Sequence, residues 1–147
     1  MAYERITREY QKNAVNGSSP LQLVVMLYEG AIRFVRESIS AIESKDFDRK
    51  RQSIDRAVAI VQHLHGTLDM DRGQKVATDL NRLYGYITTR ILEGSAKLET
   101  APLKEVVKLL NVLLAGWEEL VNKEQNNTIP SPQLAQSTAN GRFALHV

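Results

Sequence analysis

Four segments of this 147-residue chain carry apolar residues at intervals of three and four positions, the spacing that places side chains on one face of an α-helix. The segments lie at about 20–43, 47–68, 74–98 and 102–124. Only short breaks separate them, and short connections favour antiparallel neighbours. No segment alternates apolar and polar residues as a half-buried strand does. The pattern therefore predicts an all-α fold, an antiparallel up-down four-helix bundle.

The start of the first helix is marked by three residues. Ser19 is suited to the N-cap because its hydroxyl can accept from a free backbone N–H of the first turn. Pro20 follows at the first helical position, where a missing N–H costs nothing, and Gln22 completes a capping box. Asp46 is predicted to cap the second helix in the same way. The third helix is predicted to begin at about residue 74, after a break at 69–73.

The bundle is flanked by two segments of different character, which divides the chain into three parts. Residues 1–18 are predicted to form a short amphipathic helical segment, whose length makes it marginal unless it docks on the bundle. Residues 19–124 form the bundle domain. Residues 125–147 are polar, contain Pro130 and Pro132 and lack sustained periodicity, so we expect a flexible, disordered tail.

Composition excludes several functional classes. The chain has no cysteine, so neither a disulfide nor a thiolate site is available. No apolar run approaches the roughly 20 residues that span a bilayer, which argues against membrane insertion. A net charge of +2 is too small to indicate nucleic-acid binding. No clustered metal ligands, phosphate loop or catalytic set is recognisable, so we expect no cofactor, no metal and no enzymatic activity.

The helices carry more apolar residues than one core-facing stripe needs. We expect Tyr28, Tyr84 and Trp117 in the core, and the spacing assigns Val76 and Leu98 to it as well. A second set lies outside these core stripes, on the first, third and fourth helices: Leu23, Leu27, Phe34, Tyr86, Leu109, Val112 and Gly116. Two interpretations stay open for this set: flank positions buried between helices, or an exposed groove that receives a partner helix.

Three segments resemble the flagellar secretion chaperone family, FliS. The first combines YQKNAV at 10–15 with SPLQLVVMLYEGAIR at 19–33. The second is LHGTLDMDRGQKVATDLNRLYGYI at 64–87, and the third is EVVKLLNVLLAGW at 105–117. They occur in the order typical of the family, and the resemblance extends from about Tyr10 to about Leu120.

The resemblance implies a cytosolic chaperone that binds the C-terminal segment of flagellin in a 1:1 complex. Such chaperones lay helical pieces of that segment into apolar surface grooves, prevent premature polymerisation and deliver the subunit to the type III export apparatus. The segment around Tyr10 is implied to cover part of this surface when flagellin is absent. Family members also bind export-gate components, regulators and co-chaperones.

Two other functions remain possible from the residues alone. A small helical adaptor or self-associating structural protein would use the second apolar set as a contact between its own copies. A bundle enzyme with an internal site is the weakest alternative, because the inward-facing residues are almost all apolar and supply no carboxylate ligands.

Overall fold

The computed structural model describes residues 19–126. They form four α-helices: α1 (Pro20–Glu43), α2 (Phe47–Gly66), α3 (Met70–Lys97) and α4 (Thr100–Asn126). Within these residues there is no strand, and the all-α prediction is confirmed. The expected helical segment at 1–18 and the expected tail lie outside the described residues, except for the first two tail positions, which belong to α4.

The helices form a ring in which each packs on its two neighbours, α1 on α2 and α4, and α3 on α2 and α4. Side-chain pairs between α2 and α3 show the directions of these helices. Lys50 donates to Ser95 Oγ at 3.2 Å, whereas Gln62, three turns further along α2, donates to Thr88 Oγ1 at 3.2 Å. Residue numbers rise on one helix as they fall on the other, so the neighbours are antiparallel.

Two helix starts follow the predicted capping chemistry. The Gln22 backbone N–H donates to Ser19 Oγ, and the Ser19 N–H donates to the Gln22 side chain, both at 3.1 Å. At the second helix, the Arg49 N–H donates to Asp46 Oδ1 at 3.2 Å. These bonds satisfy N–H groups that a helix leaves without a partner in its first turn.

The predicted start of the third helix is wrong by one turn. α3 begins at Met70, where Asp69 accepts the Arg72 N–H at 3.0 Å. The helix is then interrupted at Gln74, whose φ of 51° and ψ of −126° are not helical. Holding a non-glycine residue in such a conformation costs about 1–3 kcal/mol. In place of the break expected at 69–73, the helix contains this one kinked position.

The core lies between all four helices, and its largest fully buried side chains include Tyr28 and Tyr84. Two residues that the spacing assigned to the core are instead exposed, Val76 by 44% and Leu98 by 45%. Leu98 ends α3 in the left-handed conformation, with a φ of 54°, so its side chain leaves the helical face. None of the four described helices is long and apolar enough to cross a membrane.

Candidate partner-binding groove

An apolar groove of about 280 Å³ runs along the contact between α3 and α4. Nearly all of its lining is hydrocarbon. Its lining residues are Val76, Leu80, Val112, Leu113, Gly116, Trp117 and Leu120. Exposed apolar surface of this kind, open along one side, is typical of a site that receives another apolar surface.

The groove exists because α3 and α4 are close at one end and leave space at the other. At the close end, a Cβ atom on Gly94 would lie 2.8 Å from Leu103 Cγ and 3.0 Å from the Glu99 carbonyl oxygen. At the other end, a Cβ on Gly116 would meet no atom within 4 Å. Gly94 thus permits the close approach of the helices, whereas Gly116 leaves a notch in the wall of the groove.

The floor of the groove is the edge of the core. Trp117 is only 3% exposed, and its ring meets Tyr28 edge-on at a centroid distance of 5.9 Å. The Tyr28 hydroxyl in turn lies 2.6 Å from the Tyr84 hydroxyl on the diagonally opposite helix. Buried hydroxyls need such a partner. The aromatic floor is therefore fixed from beneath by a hydrogen bond between α1 and α3.

The buried tyrosine pair stays protonated over the physiological range. Burial raises the pKa of Tyr28 to about 12, although its hydrogen bonds to Tyr84 and Trp117 act in the opposite direction. Burial also raises the pKa of Tyr84, and the neighbouring Tyr28 raises it further. When both hydroxyls are protonated, one of them donates its hydrogen to the oxygen of the other, which accounts for the single short contact between them.

The walls of the groove are exposed apolar residues on both helices. Val112 on α4 is 67% exposed and Val76 on α3 is 44% exposed, while Leu113 and Leu120 are half-buried and pack against the core. Each wall thus leaves hydrocarbon in water. Covering that surface with another apolar surface is favourable by roughly 25 cal/mol per Å².

A polar cluster lies between the groove and the close end of the helix pair. Tyr86 Oη donates to Glu105 Oε2 at 2.7 Å, and Arg90 Nε donates to Glu105 Oε1 at 2.6 Å. Arg90 also donates to Glu93 at 3.2 Å. The hydrogen bond from Tyr86, followed by that from Arg90, lowers the pKa of Glu105. The carboxylate is therefore charged at neutral pH and ends the apolar surface on this side.

The structure separates the predicted site residues into two groups. Tyr86 on α3 and Val112 and Gly116 on α4 are exposed, whereas Leu109 on α4 is half-buried and packs against the core. The members of the set on the first helix are not exposed, and their role in partner binding stays a prediction. These three residues are buried, with exposed fractions of only 2–4%: Leu23, Leu27 and Phe34.

At Phe34, this buried stripe of α1 meets α2. The Phe34 ring lies under Arg56 of α2, whose guanidinium carbon is 5.7 Å from the ring centroid, and under Arg33 at 5.1 Å. Phe34 therefore holds a flank position beside α2, the other interpretation left open by the spacing. Tyr10 lies outside the described residues.

Sequence reasoning missed several residues of the groove and its polar end. Val76 was assigned to the core, because its spacing fits the core stripe of the third helix. The kink at Gln74 lies two residues before it, and no local pattern announces that kink. Glu105 and Arg90 were not singled out either. Arg90 follows Tyr86 by one helical turn, so the two share a face, and that spacing was the available signal for a common partner.

Comparison with known proteins gives consistent matches over the bundle. The family model described as flagellar protein FliS matches residues 2–124. The flagellar secretion chaperone FliS of Bacillus subtilis (strain 168) is 30% identical over 127 residues, which cover 86% of this chain and 94% of that protein. The flagellar secretion chaperone FliSB of Pseudomonas aeruginosa is 30% identical over 116 residues, covering 79% of this chain and 90% of that protein.

A third relative gives a similar match. The flagellar secretion chaperone FliS of Salmonella typhimurium is 29% identical over 123 residues, covering 83% of this chain and 89% of that protein. The family match includes the first three described helices, α4 except for its last two residues, and the three segments that carry the sequence resemblance. The chain therefore belongs to the FliS family.

Proposed function

We propose that this chain is an export chaperone of the bacterial cytosol whose α3–α4 groove binds a helix from the C-terminal segment of flagellin. Binding keeps that segment from polymerising and presents the subunit to the flagellar type III export apparatus. The carrying observation is the apolar groove with its exposed walls at Val76 and Val112. The protein is a chaperone and not an enzyme, as its family membership implies.

The dimensions of the groove support an amphipathic helix as its occupant. On α4 the lining runs from Val112 to Leu120, and the eight steps between these two residues rise by about 12 Å. Two turns of a partner helix cover that length, with anchors at positions such as i, i+3 or i+4, and i+7. The notch at Gly116 allows the backbone or a bulky anchor of the partner to approach α4 closely, because no Cβ stands in its way.

The energetics support a reversible complex. A disordered segment that folds on binding loses about 2–5 kcal/mol of the gross interaction free energy to ordering. Covering the exposed apolar walls of the groove lowers the free energy, and this gain is obtained only in the complex. A chaperone that must release its client needs this balance, and no bound nucleotide is required to provide it.

Calorimetric titration with the C-terminal segment of the cognate flagellin tests the proposal. We expect saturable 1:1 binding with a negative heat-capacity change, the mark of buried apolar surface. Val112→Asp should weaken binding at least about tenfold, or ~1.4 kcal/mol, since it places a charge on the groove wall. The matched control is Leu92→Asp, which alters another exposed apolar residue of a helix, 49% exposed and outside the groove lining.

The pair of variants distinguishes the outcomes. Loss of binding by Val112→Asp alone, with an unchanged unfolding midpoint, supports the α3–α4 groove as the site. Equal effects of both variants contradict that location. Absence of micromolar binding by the unaltered chain, together with a stable dimer that Val112→Asp dissociates, would favour the self-associating alternative.

We also propose that residues 1–18, including Tyr10, cover part of the partner-binding surface in the free chaperone. A weakly held cover suits this role because the partner displaces only a marginal contact. Deleting residues 1–18 should raise the association rate of the flagellin segment and increase the binding of a dye that reports apolar surface. An unchanged rate with unchanged dye binding would exclude a covering role.

A further inference from the structure

A second groove lies on the opposite side of α4, along its contact with α1. It has a volume of about 590 Å³ and is lined by Gln22, Val25, Met26, Glu118, Val121 and Asn122. The two grooves overlap along α4, but they lie on different sides of it and their described linings share no residue. A molecule bound here would therefore leave the proposed flagellin site open.

The chemistry of this second groove is specific. Residues such as Val25 and Val121 contribute apolar lining, and among the lining residues that the structure describes Glu118 alone is charged. Within residues 19–126 no cation pairs with Glu118. Further along the same helix pair, the next depression already combines Glu29 with Arg33 and Arg36. A cation is thus favoured beside the unpaired Glu118.

The last 21 residues of the chain carry a segment with the complementary chemistry. Residues 127–147 contain no aspartate or glutamate, and their only arginine, Arg142, is followed directly by Phe143, Ala144 and Leu145. One cation next to two large apolar side chains matches one carboxylate next to an apolar groove. The family match ends at residue 124, so this segment lies beyond the part of the chain that the family model matches.

We propose that residues 142–145 bind the α1–α4 groove of their own chain, with Phe143 and Leu145 on its apolar lining and Arg142 beside Glu118. The position of the groove favours an intramolecular partner. Asn122 lies one helical turn before the end of α4 at Asn126. The 17 residues that lead to Phe143 span up to about 56–61 Å when extended, so reach does not limit the contact.

Attachment to the same chain also favours binding thermodynamically. A short tether holds its ligand at an effective concentration in the millimolar range. Even a weak apolar contact is then largely occupied, whereas the same segment supplied as a free peptide at micromolar concentration is not. Occupancy would shield apolar surface at the α1–α4 contact from other copies of the protein.

A cysteine cross-link tests the contact in the full chain. Since the natural sequence has no cysteine, the variant Asn122→Cys/Ala144→Cys contains only the two introduced thiols. We expect the intramolecular disulfide to form at least about tenfold faster than in the matched control, which adds Phe143→Ser and Leu145→Ser. The control keeps both cysteines and the same intervening chain length, so only the proposed anchors differ.

A charge exchange tests the ionic part. Glu118→Arg or Arg142→Glu alone, in the two-cysteine background, should slow the cross-link, and the double exchange should restore it. Equal cross-linking rates with and without Phe143 and Leu145 would overturn the proposal. So would a cross-link found only between two chains, which would indicate a second copy as the occupant.

Deletion of residues 1–18 tests whether that segment occupies the α1–α4 groove. If residues 1–18 fill this groove instead, their removal will be needed before the disulfide forms rapidly, and the proposal fails for the full chain. Rapid cross-linking in the presence of residues 1–18 supports it. Neither result depends on flagellin, so the outcome is independent of the proposed chaperone site.

Discussion

α1 and α4 both carry apolar side chains on two faces, but only α1 buries both of them. Leu27 and Phe34, on the second face of α1, are each 4% exposed, and Arg56 of α2 lies over the Phe34 ring. On α4, the corresponding second face leaves Val112 67% exposed, and the neighbouring helix α3 does not cover it. The same amphipathic width thus produces core on one helix and open groove on the other.

The difference arises from how closely the neighbouring helix approaches. α1 and α2 form the most extensive helix contact among residues 19–126, and both helices carry small buried residues, including Gly30, Ser38, Ser53 and Ala57. Both serine hydroxyls donate to carbonyls of their own helix, so they cost little in the core. α3 and α4 have such a close approach only near Gly94, and their contact is the least extensive of the four.

The largest expected effect comes from truncating the buried stripe of α1. Phe34→Ala should lower the free energy of unfolding by about 3–5 kcal/mol, the range for removing a buried aromatic side chain. Val112→Ala on the open stripe of α4 should change it by less than about 0.5 kcal/mol. Urea denaturation of both variants measures the contrast. A small loss for Phe34→Ala would mean that the two stripes do not differ in solution.

The hydrogen bond beneath the groove gives the next largest effect. Tyr28→Phe leaves the buried Tyr84 hydroxyl without its partner, so the free energy of unfolding should fall by about 1–3 kcal/mol. The double variant Tyr28→Phe/Tyr84→Phe should cost less than Tyr28→Phe alone, because no unpaired hydroxyl remains. If the double variant costs the sum of the two single changes, the two hydroxyls act independently and the floor of the groove is not held by their bond.

Alkaline pH offers an independent test of the same pair. The pKa of Tyr28 is raised from 10.0 to about 12, so the folded state holds this proton more tightly than the unfolded state. Its contribution to stability is present below about pH 10 and is lost as pH rises toward 12. The unaltered chain should therefore lose stability over this interval more steeply than Tyr28→Phe, as followed by the urea midpoint.

Two glycines on the α3–α4 pair should respond in opposite directions to alanine. Gly94→Ala inserts a methyl group where Leu103 and a backbone carbonyl already lie within 3.0 Å, and overpacking of this kind costs about 1–3 kcal/mol. Gly116→Ala meets no atom within 4 Å and should gain up to about 1 kcal/mol from helix propensity. Thermal unfolding of both variants measures the two signs.

The control for the groove is a third glycine. Gly85→Ala also meets no atom within 4 Å but lies outside the groove lining, so it should gain similar stability. Only Gly116→Ala should also weaken flagellin binding, since its methyl group fills the notch. Equal affinities of the Gly85 and Gly116 variants for the flagellin segment would show that the notch is not used.

Local chemistry in the sequence predicted much of the fold, because caps and periodicity act within a few residues. The capping box of Ser19 and the cap at Asp46 fix helix starts by bonds to the next turn. The kink at Gln74 has no such local signature, and the sequence therefore predicted a start at about residue 74 although α3 begins at Met70. Val76, close to that kink, was consequently placed in the core although it forms a wall of the groove.

The candidate site was predicted less well, because helical spacing identifies faces but not the distance to the neighbouring helix. Val112 and Gly116, which the spacing separated from the core stripe of α4, are exposed, whereas Leu109 is half-buried and packs against the core. Leu27 and Phe34, set apart by the same reasoning, are buried. Whether a second stripe is buried depends on what packs over it, and not on the stripe itself.

The smallest expected effect concerns the polar end of the α4 stripe. Hydrogen bonds from Tyr86 and then Arg90 lower the pKa of Glu105 below its ordinary value of 4.5, so the folded state favours the charged carboxylate. Its contribution to stability is present above about pH 4.5 and is lost as pH falls through the lowered pKa. Glu105→Gln should therefore lower the thermal midpoint slightly at pH 7, and the difference from the unaltered chain should shrink toward pH 3.

The control is Glu119→Gln, which removes only an exposed partner of Lys123 at 3.5 Å and should have a smaller effect at pH 7. A pH-independent difference for Glu105→Gln would mean that Glu105 stabilises the fold through contacts that do not depend on its charge.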